Sequence, residues 1–506
     1  MTVRKRFVQI SVITFVLLAI TSYYWTNALW SLVIILPLFV MGMFDILQNK
    51  HTIRKNFPVI GRFRYMLEAI RPEIMQYFVE TDTEGRPISR VYRSLVYQRA
   101  KKANDTVAFG TQLDVYEVGY EWMDHSMYPN QIANMEEEPR VTVGGPDCKK
   151  PYSSSILNIS AMSYGSLSKN AVLALNKGAN QGNFSHNTGE GGISPFHLEY
   201  GGDLVWQIGT GYFGCRNADG TFSQNNFEKN AQLDSVKMIE IKLSQGAKPG
   251  HGGILPSSKN TEEIAKIRGV EPHTDVHSPP GHSAFDNAVE MMQFVKLLRD
   301  KSGSKPVGLK LCIGKKAEFI EMCDAMISTG IKPDFIGIDG GEGGTGAAPI
   351  EFSNSLGMPL KEGLAFAYNT LVSKRLKNDI KLIASGKILT GFDMAKAMAL
   401  GADICNSSRA MMLAIGCIQA LQCNSNNCPV GVATQNKDLM KGLDVDNKAE
   451  RVSSYHKATV KSLVDLMLAA GLSKTSEINR KHINRRMNMT TVMQYDEIYP
   501  YPKSGS

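Results

Sequence analysis

No long low-complexity stretch interrupts this 506-residue chain, apart from a short polar tail. With 43% hydrophobic and 21% charged residues it is not a disordered scaffold. No glycine-rich dinucleotide-binding turn follows its first β-branched run, which argues against an open, doubly wound sheet and against a nicotinamide bound by this polypeptide. No CxxC pair occurs, and no histidine lies near the one cysteine cluster, so a four-ligand zinc site lacks its usual parts. The isolated cysteines Cys148, Cys215, Cys312, Cys323 and Cys405 suit reduced core thiols better than disulfides. No clear small-residue cleavage site follows the first apolar run, which disfavours a removed signal peptide.

Two apolar runs are present, Phe7 to Trp25 and Ala28 to Leu47, each about long enough to cross a bilayer and separated only by Thr26 and Asn27. They read as a membrane hairpin, with two buried core helices as the alternative. Arg4, Lys5 and Arg6 precede the first run and Lys50, Arg54 and Lys55 follow the second, which places both ends and the catalytic domain on the cytoplasmic side. The net charge is +8, and its excess is concentrated in Arg54, Lys55, Arg62 and Arg64 near the expected membrane exit. Anionic membrane lipid is therefore the expected partner and nucleic acid is not.

The chain divides into a hairpin and juxtamembrane segment (1–55), a polar, proline-punctuated extension (56–149) with a helix around Arg64 to Phe78, an α/β region (150–440), and a C-terminal helix and tail (441–506). In the α/β region eight β-branched runs alternate with helical stretches: 156–163, 183–189, 238–244, 273–278, 306–312, 335–340, 381–386 and 403–408. Eight such units predict a closed (β/α)8 TIM barrel. Glycine-rich, polar segments at 189–192, 244–253, 339–346 and 385–391 follow four of the runs, where barrels carry their sites and where backbone can approach a flat ligand. Asp444 to Leu472 reads as a helix with Val460, Leu463, Leu466 and Met467 on one face, and the tail beyond it as extended and partly mobile.

Two motifs carry chemistry. The loops after the last two strands, Ser385-Gly386-Lys387 and Asn406-Ser407-Ser408-Arg409, offer N–H groups, hydroxyls, a lysine, an arginine and a helix start, as a phosphate site requires; capped strand-to-helix turns are the alternative. Behind them stands Cys417-x5-Cys423-x4-Cys428-Pro429. Three thiolates with no fourth local ligand suit a three-iron cluster, with zinc or structural thiols as alternatives.

The segments SAMSYGSLS (160–168), SHNTGEGG (185–192), EIKLSQGAKPGHGG (240–253), DGGEGGTGAAP (339–349) and AIGCIQALQCNSNNCPVGVATQ (414–435) closely resemble the FMN-binding synthase domain of glutamate synthases, over roughly residues 150–440. The resemblance implies FMN and a 3Fe-4S cluster in one barrel that reduces 2-iminoglutarate, formed from 2-oxoglutarate and ammonia, to L-glutamate. It would set Ala161, Met162 and Ser163 along the flavin, Gly340, Gly341, Gly386, Lys387, Ser408 and Arg409 around its ring and phosphate, and Cys417, Cys423 and Cys428 on the cluster. The reaction needs a cationic grip on two carboxylates, for which Lys242 and Lys248 are suited, an acid–base group, for which Glu190 is suited, and hydrogen bonds from Ser244 and Gln245.

Departures from the family pattern bear on substrate and partners. The family's amino-terminal amidotransferase and glycine-repeat β-helix are not seen, so ammonia is expected from solution or a separate subunit. Electrons are expected from an external donor such as ferredoxin or a separate flavoprotein. Asn424 stands where the family usually has histidine, and WQIGTGYFGCR (206–216), with Arg216 displaced, replaces an arginine-bearing segment. These changes leave open another amine, amino acid or 2-oxo acid coupled to a membrane electron carrier, or a non-catalytic membrane sensor.

Overall fold

The computed structural model describes residues 2–131 and 138–502, in two compact units, Met1–Ser89 and Arg90–Ser506. In the first unit, helix α1 (Val3–Tyr24) and helix α2 (Leu32–Leu47) are joined by a 3-10 turn, and each stretch of 22 residues, Val3–Tyr24 and Thr26–Leu47, is long and apolar enough to cross a membrane. Asp45, fully buried near the end of α2, takes an ion pair from Arg62 at 2.8 Å and a hydrogen bond from the Val59 N–H. That pairing bends the chain from α2 through α3 (Thr52–Asn56) into α4 (Gly61–Ile74). The helix foreseen around Arg64 to Phe78 is α4 with its continuation, Met75–Val79. An apolar groove of about 580 Å³, lined by Ile53, Phe57, Ile60 and Leu67 with Arg64 and Arg71 among its polar residues, runs along α4.

The second unit is a closed eight-stranded parallel barrel: β1 (Leu157–Ile159), β2 (His186–Asn187), β3 (Leu204–Ile208), β4 (Val236–Lys242), β5 (Val307–Leu311), β6 (Phe335–Asp339), β7 (Lys381–Ser385) and β8 (Ile404–Ser407). Seven of these coincide with foreseen strands. The run at 273–278 does not belong to the barrel, because only Val276–His277 pairs, antiparallel with Ile254–Leu255, in a small loop sheet. His273 there is left-handed (φ 58°), and of this polar run only Val276 and Ser278 are buried. The missed strand is β3, LVWQI, buried on every residue and ending just before a glycine-rich turn. Lys242 accordingly ends the fourth strand.

The barrel floor is closed by apolar side chains. Val205, Met238, Phe335, Ile383 and Ile404 pack with Val143 and Tyr152 from an antiparallel hairpin (Arg140–Val143 with Tyr152–Ser155). Above that layer Glu240 accepts hydrogen bonds from Asn187 (2.8 Å) and Gln207 (2.5 Å), so the buried carboxylate is satisfied within the barrel. Outside the barrel, helix α5 (Arg90–Ala100), helix α6 (Lys169–Gln181) and the 25-residue helix recognised from Asp444 onward pack together. That long helix spans Val445–Ala469; Asp444 caps it by accepting from the Asn447 N–H at 2.7 Å, and Val460, Leu463 and Met467 are buried. The tail is more ordered than expected: Val492–Gln494 joins a three-stranded sheet, and buried Tyr495 donates to Glu121 at 2.8 Å. Residues 503–506 lie outside the described residues.

Candidate active site and cysteine loop

At the carboxyl ends of the strands the register sets Lys242 beside Lys310, two cations on adjacent strands. Each meets a carboxylate: Lys242 Nζ lies 2.8 Å from Glu190 Oε1, and Lys310 Nζ 3.8 Å from Asp339 Oδ2. Lys242 also donates to Gln245 Oε1 at 2.8 Å. Three residues singled out from sequence, Glu190, Lys242 and Gln245, thus form one hydrogen-bonded chain. Lys248, 3% exposed, reaches across to the Ala347 carbonyl at 2.9 Å. Ser244 accepts from the Cys312 N–H at 2.9 Å, so its hydroxyl oxygen ties the loop after β4 to the end of β5.

The arginine of this cluster comes from an unexpected place. Arg268 closes helix α7 (Glu262–Arg268), which is capped by Thr261 and stopped by left-handed Gly269 (φ 64°). Its guanidinium turns inward, 4% exposed, donates to the Tyr164 carbonyl at 3.0 Å, and stacks over the Phe213 ring at 5.1 Å; among the described residues its Nε has no partner. Arg216, the displaced arginine, flanks the same ring at 5.6 Å.

Burial alone would raise the Glu190 carboxyl, but the Lys242 ammonium and its hydrogen bond, with Arg268 and Lys248, hold it below the ordinary carboxylate range. Burial pulls Lys248 down to about 8, against the opposing pull of Glu190. His282, drawn down to about 4 by burial, is neutral; its Nε2–H donates to the Lys242 carbonyl at 2.9 Å and its Nδ1 accepts from Tyr212 at 3.1 Å, bracing the end of β4. Lys310, Arg268 and His282 were not singled out from sequence.

The residues expected around a flavin line the same mouth. Ala161, Ser163, Gly341, Gly386, Lys387, Ser408 and Arg409 are partly exposed, while Met162 and Gly340 are buried. The loops close on each other through glycine: a Cβ on Gly246 would collide with the Gly340 carbonyl, and one on Gly189 would lie 2.6 Å from Ser163 N. Arg409 donates to the Glu342 carbonyl at 2.6 Å, and Ser408 makes no capping bond to the helix it opens, α8 (Arg409–Ala414). A lysine, an arginine and uncapped N–H groups on the loops after β7 and β8 fit a phosphate.

The cysteine loop adjoins this mouth. Gln419, Leu421 and Asn426 are non-glycine residues in left-handed conformation (φ 58°, 56° and 62°), a concentration of backbone strain typical of functional loops. Burial pushes the Cys417 thiol up to about 12 and raises Cys423, and Cys417, Cys423 and Cys428 lie near enough to influence one another's ionisation. Among the described residues no three Cys, His, Asp or Glu side chains converge on a single ion. One tetrahedral metal would need sulfurs about 3.8 Å apart at ordinary zinc–sulfur distances. Three neighbouring thiols fit a multi-iron cluster, in which each sulfur binds its own iron.

Residues 111–473 match the pattern described as the conserved region in glutamate synthase. The glutamate synthase large subunit-like protein YerD of Bacillus subtilis is 38% identical over 490 residues, covering 89% of this chain and 93% of that protein. The archaeal glutamate synthase [NADPH] of Methanocaldococcus jannaschii is 35% identical over 321 residues, covering 63% of this chain and 60% of that enzyme. The glutamate synthase [NADPH] large chain of Bacillus subtilis is 32% identical over 328 residues, 63% of this chain but only 20% of that longer protein. The matched motifs at the strand ends and the extent of these matches lead to one conclusion: the chain belongs to the glutamate synthase family.

Proposed function

We propose that this chain is a glutamate synthase-type oxidoreductase that converts 2-oxoglutarate and ammonia, through 2-iminoglutarate, to L-glutamate and water with two electrons and three protons. One observation carries the substrate class. Lys242, Lys248 and Arg268 set three buried cations against the single carboxylate of Glu190, leaving two positive charges, the number a dicarboxylate neutralises. The orphan Nε of Arg268 is a donor in search of an acceptor.

FMN over Ala161–Ser163, with its phosphate on Lys387, Ser408 and Arg409, would supply hydride, and a 3Fe-4S cluster on Cys417, Cys423 and Cys428 would relay single electrons from an external donor such as ferredoxin or a separate flavoprotein. The side chains do the rest. Lys242 and Arg268 grip the carboxylates, and Gln245 fixes the Lys242 ammonium. Glu190, held as a carboxylate, aims ammonia at the oxo carbon and takes a proton from the nitrogen as the C–N bond forms. Lys248, charged at neutral pH yet near its midpoint, holds a carboxylate and can return a proton. Ser244 orients the loop through Cys312.

The first unit is proposed to anchor the enzyme, with its two helices across the bilayer, the barrel on the cytoplasmic side, and α4 with its exposed Phe63, Met66, Ile70 and flanking arginines on anionic lipid. These helices favour a second reading of the electron route, in which an amino acid is oxidised and a membrane-embedded carrier reduced.

The test uses detergent-solubilised full-length protein under anaerobic conditions, reduced with dithionite and mixed with 2-oxoglutarate and ammonium. Flavin reoxidation with stoichiometric glutamate is expected. Bound FMN that stays reduced would overturn the substrate assignment, and absence of FMN would overturn the flavin site itself.

A further inference from the structure

We propose that Lys259 is the built-in counter-charge of the metal–sulfur group on the cysteine loop and biases that group toward its reduced form. The inference rests on the reading that Cys417, Cys423 and Cys428 hold an iron–sulfur cluster. Lys259 is 2% exposed, in a short 3-10 turn at Ser257–Lys259. Its ammonium donates to three carbonyls from three places: Cys423 (2.7 Å), Ala433 (2.8 Å) and Ser166 (3.3 Å). These use all three N–H donors and leave the charge unbalanced.

Several other buried cations of the barrel lie beside a carboxylate, Lys248 and Arg268 sharing the field of Glu190 with Lys242. Lys242 faces Glu190, Lys310 faces Asp339, and Arg299 faces Asp334 at 3.0 Å. Among the described residues Lys305 has no carboxylate within ion-pair distance either, but it sits on the Ala231 and Leu233 carbonyls at the end of the helix Gln224–Ala231, where a cation suits the helix dipole. Lys259 has neither a helix end nor, among the described residues, a carboxylate within ion-pair distance. A buried ammonium without an anion is costly enough that a fold seldom keeps one. The anion at hand is the cysteine set, since three thiolates make their metal group negative and Lys259 grips the carbonyl of one of those cysteines.

The lysine is also locked in place. Asn426 of the cysteine loop donates to the Ser258 carbonyl at 2.8 Å, and Gln435 donates to the Gly165 and Leu167 carbonyls at 3.1 and 2.9 Å. One ammonium thus clasps the cysteine loop to the loop that continues from Ala161–Ser163. Because reduction adds one electron and hence one negative charge, a fixed cation beside the group favours the reduced state. Lys259 is a positioning residue in this role and touches no substrate.

The full-length protein is solubilised anaerobically, assayed for iron and sulfide, and titrated with dithionite against redox mediators while the electron paramagnetic resonance of the oxidised cluster is followed. Lys259→Gln keeps two donors for the carbonyls and drops the charge; Lys259→Arg keeps the charge. The expectation is wild-type iron in both, a reduction equilibrium about tenfold weaker in K259Q, equal to about 59 mV for one electron, and a midpoint near wild type in K259R. Iron retained in K259Q with an unmoved midpoint overturns the proposal alone, as does an equal shift in both variants. Wild-type protein without iron overturns it together with the cluster reading. Iron lost from K259Q and kept in K259R supports the charge requirement, whereas equal loss from both reduces Lys259 to loop packing and overturns it.

Discussion

The barrel mouth and the cysteine loop are neighbours that treat polarity in opposite ways. At the mouth, Lys242 and Lys310 spring from strand ends and face Glu190 and Asp339, so their geometry stands before any ligand arrives. The cysteine loop runs through three strained left-handed residues, and burial raises the Cys417 and Cys423 thiols above their ordinary range. Metal coordination deprotonates a thiol outright, so on the proposed cluster reading that region would reach its working state only when loaded. One site is preorganised by strands; the other, on that reading, would be completed by what it binds.

Four experiments sharpen that contrast. The largest effect is expected from Cys423→Ser, which removes one ligand from the region that depends on its occupant: iron and sulfide fall to background while barrel ellipticity and FMN content hold. Retained iron would show that the loop does not need its thiols. Next, Glu190→Gln leaves flavin bound and lowers kcat by about 10²–10⁴-fold, the usual range for a proton-transfer group; turnover within about threefold of wild type would remove Glu190 from the chemistry. Arg268→Lys should raise the KM for the 2-oxo acid by about 10–100-fold, the size of a lost charge-assisted hydrogen bond, with kcat less affected.

The smallest effect tests whether the preorganised mouth costs stability. Lys248 sits near 8 when folded against 10.5 for a free lysine, so between those values the folded chain binds fewer protons than the unfolded one and stability rises with pH. Lys248→Met should therefore raise Tm by a few degrees at pH 7 and flatten its rise toward pH 10, while activity is lost. In the unaltered protein kcat/KM should decline above about pH 8 as Lys248 loses its proton, and Lys248→Arg should shift that decline to higher pH. A decline unmoved in the arginine variant would assign the limb to another group.

Much of this was legible from residues alone, for physical reasons. Strand runs that pass from buried β-branched residues into glycine and polar residues announce a barrel and its mouth together, which is why β4, with Lys242 and Lys248 close behind, and the loops after β7 and β8 could be placed. β3 was hidden because its last three residues, Trp206 to Ile208, also open the 206–216 segment that reads as the replacement of an arginine-bearing stretch, and Val276 was misread because β-branched residues also close small loop sheets. Arg268 and Lys259 escaped for a different reason. Charged residues in a short helix and a 3-10 turn ordinarily face water, and only the three-dimensional packing of Phe213, Tyr164 and the cysteine loop turns them inward.

The apolar floor beneath Glu240, packed with Val143 and Tyr152 of the covering hairpin, closes the barrel at the end away from its mouth. On the proposed reading, an entering 2-oxo acid and a departing amino acid would share that mouth. Accumulated product would then be expected to compete with the entering dicarboxylate.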